Sequence, residues 1–260
     1  MLLAIDIGNS NIVLGGLSGD RILFDARIAT DYSKTSDQYR MEIKSMLELF
    51  GVSVEDVEDC IISSVVPPVF NAVSIGVVKL IGRQPMVVGP QLDTGLRLQM
   101  DDPASVGSDR IVIAVAALQE YAPPLLLIDM GTATTVEVID ETSTYLAGVI
   151  IPGVRLSVDA LSQRTAQLPS IQLDRPRRLI GKNTVECMRS GSMYGTAAML
   201  DGLIGRMEEE LGKRTVVVAT GGIAKFIIPL CRREIRLEED LLLKGLGVIY
   251  RRNKGETASA

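Results

Sequence analysis

Short apolar runs separated by turn-forming clusters set the pattern of the chain from its first residues. Residues 2–5 are apolar and lead into Asp6-Ile7-Gly8-Asn9-Ser10-Asn11, after which Ile12, Val13, Leu14 and Leu17 make the next run apolar again. Gly, Asn and Ser between two such runs predict a β-hairpin. A third strand is predicted over Arg21–Ala29, behind the turn Ser18-Gly19-Asp20. Helical spacing of Tyr39, Ile43, Met46, Leu47 and Phe50 predicts a helix over about 35–50. Asp59–Ser64 reads as a buried strand, Pro67–Ile81 as a helix opened by proline, and 85–88 as a further short strand.

The second half opens the same way. The apolar run 125–128 leads into Asp129-Met130-Gly131-Thr132-Ala133-Thr134-Thr135, 136–139 continues as a strand, and 144–151 predicts a third. A helix is expected from about Pro152-Gly153, a long helix over 190–211 and a strand over 215–219. Thr220-Gly221-Gly222 then turns tightly into another helix, and a last helix is expected over about 239–252. Strand, Asp-x-Gly turn, two more strands and then helices, occurring twice, predicts an internally duplicated α/β unit. The boundary is expected in or just after the apolar helix 111–121, which divides the chain into domains 1–118 and 119–260.

Composition narrows the chemistry. With 47% hydrophobic and 23% charged residues over 260 positions, the chain can bury a core and is not a disordered segment. Lys and Arg number 27 against 32 Asp and Glu, a net charge of −5, so nucleic acid is not an expected partner. No apolar run approaches the roughly 20 residues that a membrane-spanning helix needs, so no membrane partner is expected either. The N-terminus carries neither a basic segment nor a small-residue cleavage site, and no secretory signal is expected. Three cysteines, Cys60, Cys187 and Cys231, are widely spaced and odd in number, which suits a reducing cytoplasm. The sharpest constraint is the lack of any histidine. It excludes a Ser-His-Asp triad, a Cys-His pair and His-ligated metals, and without Cys-x-x-Cys a structural zinc is excluded too. A general base has to be a carboxylate, lysine, tyrosine or cysteine.

Glycine turns between strands expose backbone N–H groups that can donate to phosphate oxygens. Asn9, Ser10 and Asn11, and likewise Thr132, Thr134 and Thr135, add side-chain donors there. Asp6 and Asp129 supply the carboxylates that a cation bridging phosphates needs. A single turn of this kind is as well explained by an aspartate capping backbone amides; two equivalent turns plus Thr220-Gly221-Gly222 favour phosphate binding. Gly107-Ser108-Asp109-Arg110 precedes the apolar helix and leaves two readings open. Ser108 or Asp109 could cap that helix, a contribution of about 1 kcal/mol. Alternatively Asp109 is a base, with Arg110 as its charge neighbour or an anion clamp. Gly181-Lys182-Asn183-Thr184 and Ser190-Gly191 also fit a helix start, and Lys182 lies outside any P-loop pattern.

Taken in order, these segments, with Thr165-Ala166-x-Leu168-Pro169 between them, resemble the type III pantothenate kinases over nearly the whole chain. The resemblance implies a duplicated actin-like, sugar-kinase-like (ribonuclease H-like) α/β fold of two similar domains with an interdomain cleft that takes ATP. It implies ATP-dependent phosphorylation of pantothenate to 4'-phosphopantothenate, the first step of coenzyme A biosynthesis, by a cytoplasmic homodimer. By position, Asp6, Ile7, Gly8, Asn9, Ser10, Asn11, Ile12 and Val13 match the family's first phosphate loop, and Thr132 an ATP contact in the second. Asp129 matches the ligand of a monovalent cation, potassium or ammonium, and Asp6 is the candidate Mg²⁺ ligand. Gly107, Ser108, Asp109 and Arg110 match the pantothenate segment, with Asp109 as proton acceptor, and Thr184 a substrate contact contributed by the partner subunit.

Two departures stand out. Met100 replaces a tyrosine frequent in the family, which removes a phenol hydroxyl from that position, and Glu137 replaces a shorter acid, a change expected to be harmless. Two alternatives are a kinase of another small hydroxyl substrate on the same fold and a non-enzymatic nucleotide-switch regulator, because fold alone does not separate catalysis from switching.

Overall fold

The hairpin expected at the N-terminus is β1 (Leu2–Ile7) and β2 (Asn11–Ser18), followed by β3 (Arg21–Ala29), in a computed structural model that describes residues 1–255. The chain continues through α1 (Ser36–Leu49), β4 (Asp59–Ser64), α2 (Pro67–Ile81), β5 (Met86–Val87), β6 (Arg97–Leu98) and α3 (Ser108–Glu120). The second half contributes β7 (Leu125–Met130), β8 (Ala133–Ile139), β9 (Thr144–Pro152), α4 (Val154–Arg164) and α5 (Thr184–Leu211). It ends with β10 (Val216–Thr220), α6 (Ala224–Ile227), β11 (Arg236–Leu237) and α7 (Leu241–Lys254).

Two compact units result. Among the described residues the first comprises Met1–Leu96, Asp101–Gln119 and 240–255; the second comprises Arg97–Met100 and Glu120–Glu239. The units are therefore not consecutive halves: α7 packs with the first, where Leu243, Leu246 and Ile249 meet Ala4, Ile61 and Val112.

In the first unit the sheet order is β3-β2-β1-β4-β5, with β1 antiparallel to β2 and parallel to β4. Alternation along β1 decides what each face buries. Leu3, Ile5 and Ile7 join Tyr39, Ile43 and Leu47 of α1 and Val69, Val73 and Val77 of α2. Ala4 faces the other way, toward Val112 and Val115 of α3 and the apolar stripe of α7. Asp6 has the parity of Ala4 and so lies on the α3 side of the sheet.

The second unit repeats the arrangement as β11-β10-β7-β8-β9, with β6 added beside β9. Strand directions match one by one: β7 is antiparallel to β8 and parallel to β10. Even the β-bulges correspond, lying between Gly16 and Leu17 in one hairpin and between Val138 and Ile139 in the other. Leu126, Ile128 and Met130 of β7 pack on Val154 of α4 and Met193, Ala197 and Leu200 of α5. Asp129, of opposite parity, points away from those helices.

The strands expected over 21–29 and 59–64 and the helix over 67–81 have those bounds. The long helix starts at Thr184, ahead of the expected residue 190, because the Asn183 side chain accepts the Glu186 N–H at 2.9 Å and caps it there. The helix expected after Gly222 is one turn, followed by a 3-10 turn at Ile228–Leu230, where Pro229 has no N–H to continue the ladder.

Candidate active site

In the first unit, hairpin register sets the chemistry. Asp6 stands opposite Val13 on β2 and beside Ser63 on β4. Gly8 closes the turn by donating its N–H to the Asn11 carbonyl at 3.0 Å, leaving Asn9 and Ser10 as an exposed two-residue tip. A methyl built on Gly8 would lie 3.1 Å from the Asn11 oxygen and 4.0 Å from the Asp6 carboxylate, so the missing side chain keeps open the space beside that acid. Ile7 and Ile12 are fully buried and anchor the turn from below.

The same unit brings the segment 107–110 to the end of β4. The Ser108 hydroxyl lies 2.9 Å from that of Ser63, accepts the Ser64 N–H at 3.1 Å and donates to the Ser64 carbonyl. Ser108 is thus committed across to β4 and does not cap α3; the Ile111 N–H is taken by the Gly107 carbonyl at 3.3 Å instead. Asp109 lies inside the first turn, where a carboxylate suits the positive end of the helix dipole, and its side chain accepts the Arg110 N–H at 2.8 Å. Asp109 folds back over Gly107 so closely that a Cβ there would overlap its carboxylate. Of the two readings left open for this segment, the Ser108 cap is not formed, whereas Asp109 does accept a free N–H of the first turn of α3.

In the second unit Asp129 stands opposite Thr135 on β8 and beside Thr220 on β10. Gly131 donates to the Ala133 carbonyl at 3.0 Å, so the tip is the single exposed residue Thr132, one fewer than in the first hairpin. Two further glycines hold this turn. Gly153 donates its N–H to the Thr132 carbonyl at 3.1 Å, and any side chain on it would overlap that carbonyl. Gly221 has φ +100°, and a Cβ on it would come within 2.6 Å of the Met130 backbone N and O. The turn 220–222 thus abuts the turn 129–135. Ser63 joins the first turn, and Thr220 and Gly153 the second, through register and close approach, for which no local motif gives a signal.

Three other positions are located as follows. Thr184 is the exposed first residue of α5. A few residues earlier in the chain Leu179 is 63% and Ile180 82% exposed, and with Gly191 and Tyr194 they line a groove of about 520 Å³. Met100 is half-buried just after β6, next to Gln99, whose N–H bonds the Tyr145 carbonyl at 2.9 Å. Glu137 is buried and accepts the hydroxyl of the fully buried Tyr145.

Candidate bases narrow further. Burial, helped by Asp59, pushes the Cys60 thiol well above its ordinary range, and burial with Asp201 raises Cys231 to about 12. Burial and the Glu238 carboxylate raise Tyr121 to about 12. Among the described residues no group of three or more acids or cysteines is placed to hold a metal, and no helix is long and apolar enough to cross a membrane.

Two α/β units of matching strand order, each ending its first hairpin in an Asp-x-Gly turn, define the actin-like class of phosphate-binding folds. Solved structures agree on the fold: the activator of 2-hydroxyisocaproyl-CoA dehydratase from Clostridium difficile has a TM-score of 0.56 at 14% identity, over 98% of this chain and 95% of that one. Component A of (R)-2-hydroxyglutaryl-CoA dehydratase from Acidaminococcus fermentans gives 0.56 at 17%, over 98% of both. Sequence is more specific. The family model for type III pantothenate kinase matches residues 2–206. A type III pantothenate kinase of Exiguobacterium sp. strain AT1b is 46% identical over 254 residues, 98% of this chain and 100% of that protein. That of Moorella thermoacetica is 42% identical over 253 residues, 97% and 100% respectively. The chain belongs to the type III pantothenate kinase family. It is accordingly an ATP-using kinase that phosphorylates pantothenate in coenzyme A biosynthesis.

Proposed function

We propose that Asp109 accepts the proton of the pantothenate hydroxyl while the turns 6–13 and 129–135, Thr132 included, hold the phosphates of ATP. The observation that carries this reading is the link from Ser108 to Ser63 and Ser64, which fixes the start of α3 beside the strand end that bears Asp6. Phosphoryl transfer asks for positioning and charge neutralisation more than covalent chemistry, so turns, cations and one carboxylate suffice. As the acceptor oxygen attacks the γ-phosphorus, the bond from phosphorus to the ADP oxygen breaks and the proton passes to Asp109. Gly107, Ser108 and Arg110 line the acceptor, the guanidinium serving the carboxylate of pantothenate.

Mg²⁺ is assigned to Asp6 and a potassium or ammonium ion to Asp129. The donor sets fit hard cations, each a carboxylate beside space that a side chain on Gly8 or Gly131 would narrow. These ions supply the positive charge that offsets the polyphosphate. A homodimer is proposed in which Thr184 reaches the neighbouring subunit's acceptor; the exposed Leu179 and Ile180 support a second copy seated there. The duplicated repeats are taken to divide after residue 118, with β6 and α7 exchanged across that division, and a cytoplasmic location suits three free cysteines.

A coupled ADP-release assay with and without pantothenate tests this reading. Strict dependence on pantothenate, lost in Asp109→Asn with nucleotide binding kept, is the expected result. Release that ignores pantothenate, or an unimpaired Asp109→Asn enzyme, would reject it.

A further inference from the structure

The two phosphate turns are alike in backbone but not in the row of side chains across their sheets. Directly paired residues of neighbouring strands project to one face. In the second unit that row is Thr135, Asp129, Thr220: hydroxyl, carboxylate, hydroxyl. All three lie on the face away from α4 and α5, since Val136, Ile128 and Ala219, their immediate neighbours in sequence, pack on that helical side. In the first unit the matching row is Val13, Asp6, Ser63, with a hydrocarbon where the second has Thr135. Ser63 is moreover engaged with Ser108 at 2.9 Å.

The Thr135 hydroxyl oxygen is shielded from solvent and has no hydrogen-bond partner. A buried hydroxyl in that condition is unfavourable unless something comes to meet it. Its cross-strand neighbour is the Asp129 carboxylate. Thr134, on the same strand, also has an unpartnered hydroxyl, but it pairs with Met130 on the helical side, where no carboxylate is in register.

We propose that Thr135, with Asp129, is a ligand of the monovalent cation and sets its selectivity; this rests on the assignment of that cation to Asp129. One carboxylate with neutral hydroxyl oxygens matches a single positive charge. Mg²⁺ instead demands tight octahedral geometry and keeps its own waters. The hydroxyl absent opposite Asp6 thus separates the chemistry of two turns that are otherwise equivalent.

The test uses the full chain with Mg-ADP present and reads the melting midpoint against KCl, NH₄Cl and NaCl, with choline chloride holding ionic strength. The wild type is expected to gain stability from potassium or ammonium more than from sodium. Thr135→Val should need at least the roughly tenfold more potassium that even outer-shell losses cost a metal site. Thr135→Ser should restore the response, and Thr134→Val should keep it. In cation-free buffer Thr135→Val should melt no lower than wild type, because it removes a hydroxyl with no partner. A lower midpoint there, a potassium response like the wild type's, or failure of Thr135→Ser to restore it would overturn the role of Thr135. Loss of the response in Asp129→Asn alone would leave the Asp129 assignment standing. A wild type indifferent to which cation is present, or an Asp129→Asn protein with the full response, would remove that assignment and this inference with it.

Discussion

The hydroxyl of Ser108 lies 2.9 Å from that of Ser63, and Ser63 is the register neighbour of Asp6 on β4. Two segments 45 residues apart in the chain are tied at one strand end by this contact. It also takes the Ser108 side chain away from the start of α3, where Gly107 supplies the first carbonyl and Asp109 accepts the Arg110 N–H.

Asp109→Asn keeps an oxygen that can accept the Arg110 N–H, so it is expected to fold and bind ATP normally and to lose roughly 10²- to 10⁴-fold in kcat. Thermal melting and steady-state ADP release measure both halves of that statement. A protein that melts early yet turns over at nearly the normal rate would return Asp109 to a structural role.

Gly221→Ala separates backbone strain from steric exclusion. The αL-type conformation of a non-glycine residue alone costs about 1–3 kcal/mol. At Gly221 the added methyl also meets the Met130 backbone at 2.6 Å, whereas at Gly212, with φ +65°, it meets nothing within 4 Å. Gly221→Ala should destabilise clearly more than Gly212→Ala in urea melts and should also weaken ATP binding. Equal losses at the two sites, with ATP affinity intact, would mean that the turns 220–222 and 129–135 are independent.

Glu208 governs acid stability of the second unit. Burial alone would raise its pKa, but the Thr215 N–H at 2.8 Å and the Arg233 and Arg214 guanidiniums outweigh that and hold it at about 2. A depressed carboxylate stabilises the fold above its unfolded value of about 4.5, and that contribution is lost as pH falls from 4.5 toward 2. The full effect is on the order of 3 kcal/mol. Glu208→Gln should lower the melting midpoint at pH 7 and flatten its fall between pH 5 and pH 3, followed by circular dichroism. An unchanged pH profile would show that other carboxylates carry the acid transition.

Mixed dimers test Thr184. Asn183, not Thr184, caps α5, so Thr184→Ala should fold as well as the wild type. If each acceptor site joins Asp109 of one subunit with Thr184 of the other, Asp109→Asn and Thr184→Ala homodimers carry one lesion in every site. In mixed dimers the lesions segregate, leaving one intact site in two. Random exchange makes about half the dimers mixed, so roughly a quarter of wild-type activity should return. No recovery after demonstrated subunit exchange would place Thr184 in its own chain's site.

What was legible in the sequence is what local physics determines. Alternating apolar runs closed by Gly-Asn-Ser or Gly-Thr clusters can only become hairpins, and Pro67 opens a helix because its missing N–H needs no partner there. The repetition of that grammar gave the duplicated architecture, and the order of the motifs gave the family. The tertiary structure decided what depends on register and close approach. Nothing near Asp109 in sequence says that Ser108 bonds to Ser63 and Ser64; that link exists only once β4 is in place. Thr135 and Val13 become equivalent only through their pairing with Asp129 and Asp6, since the hairpin tips differ in length by one residue. The assignment of α7 to the first unit is likewise a packing result: its leucines find their apolar surface against β1 and α3, residues more than a hundred positions away in the chain. Short-range patterns fix elements because backbone sterics and turn chemistry act within a few residues; sites are fixed by side chains that meet only after the sheets have formed.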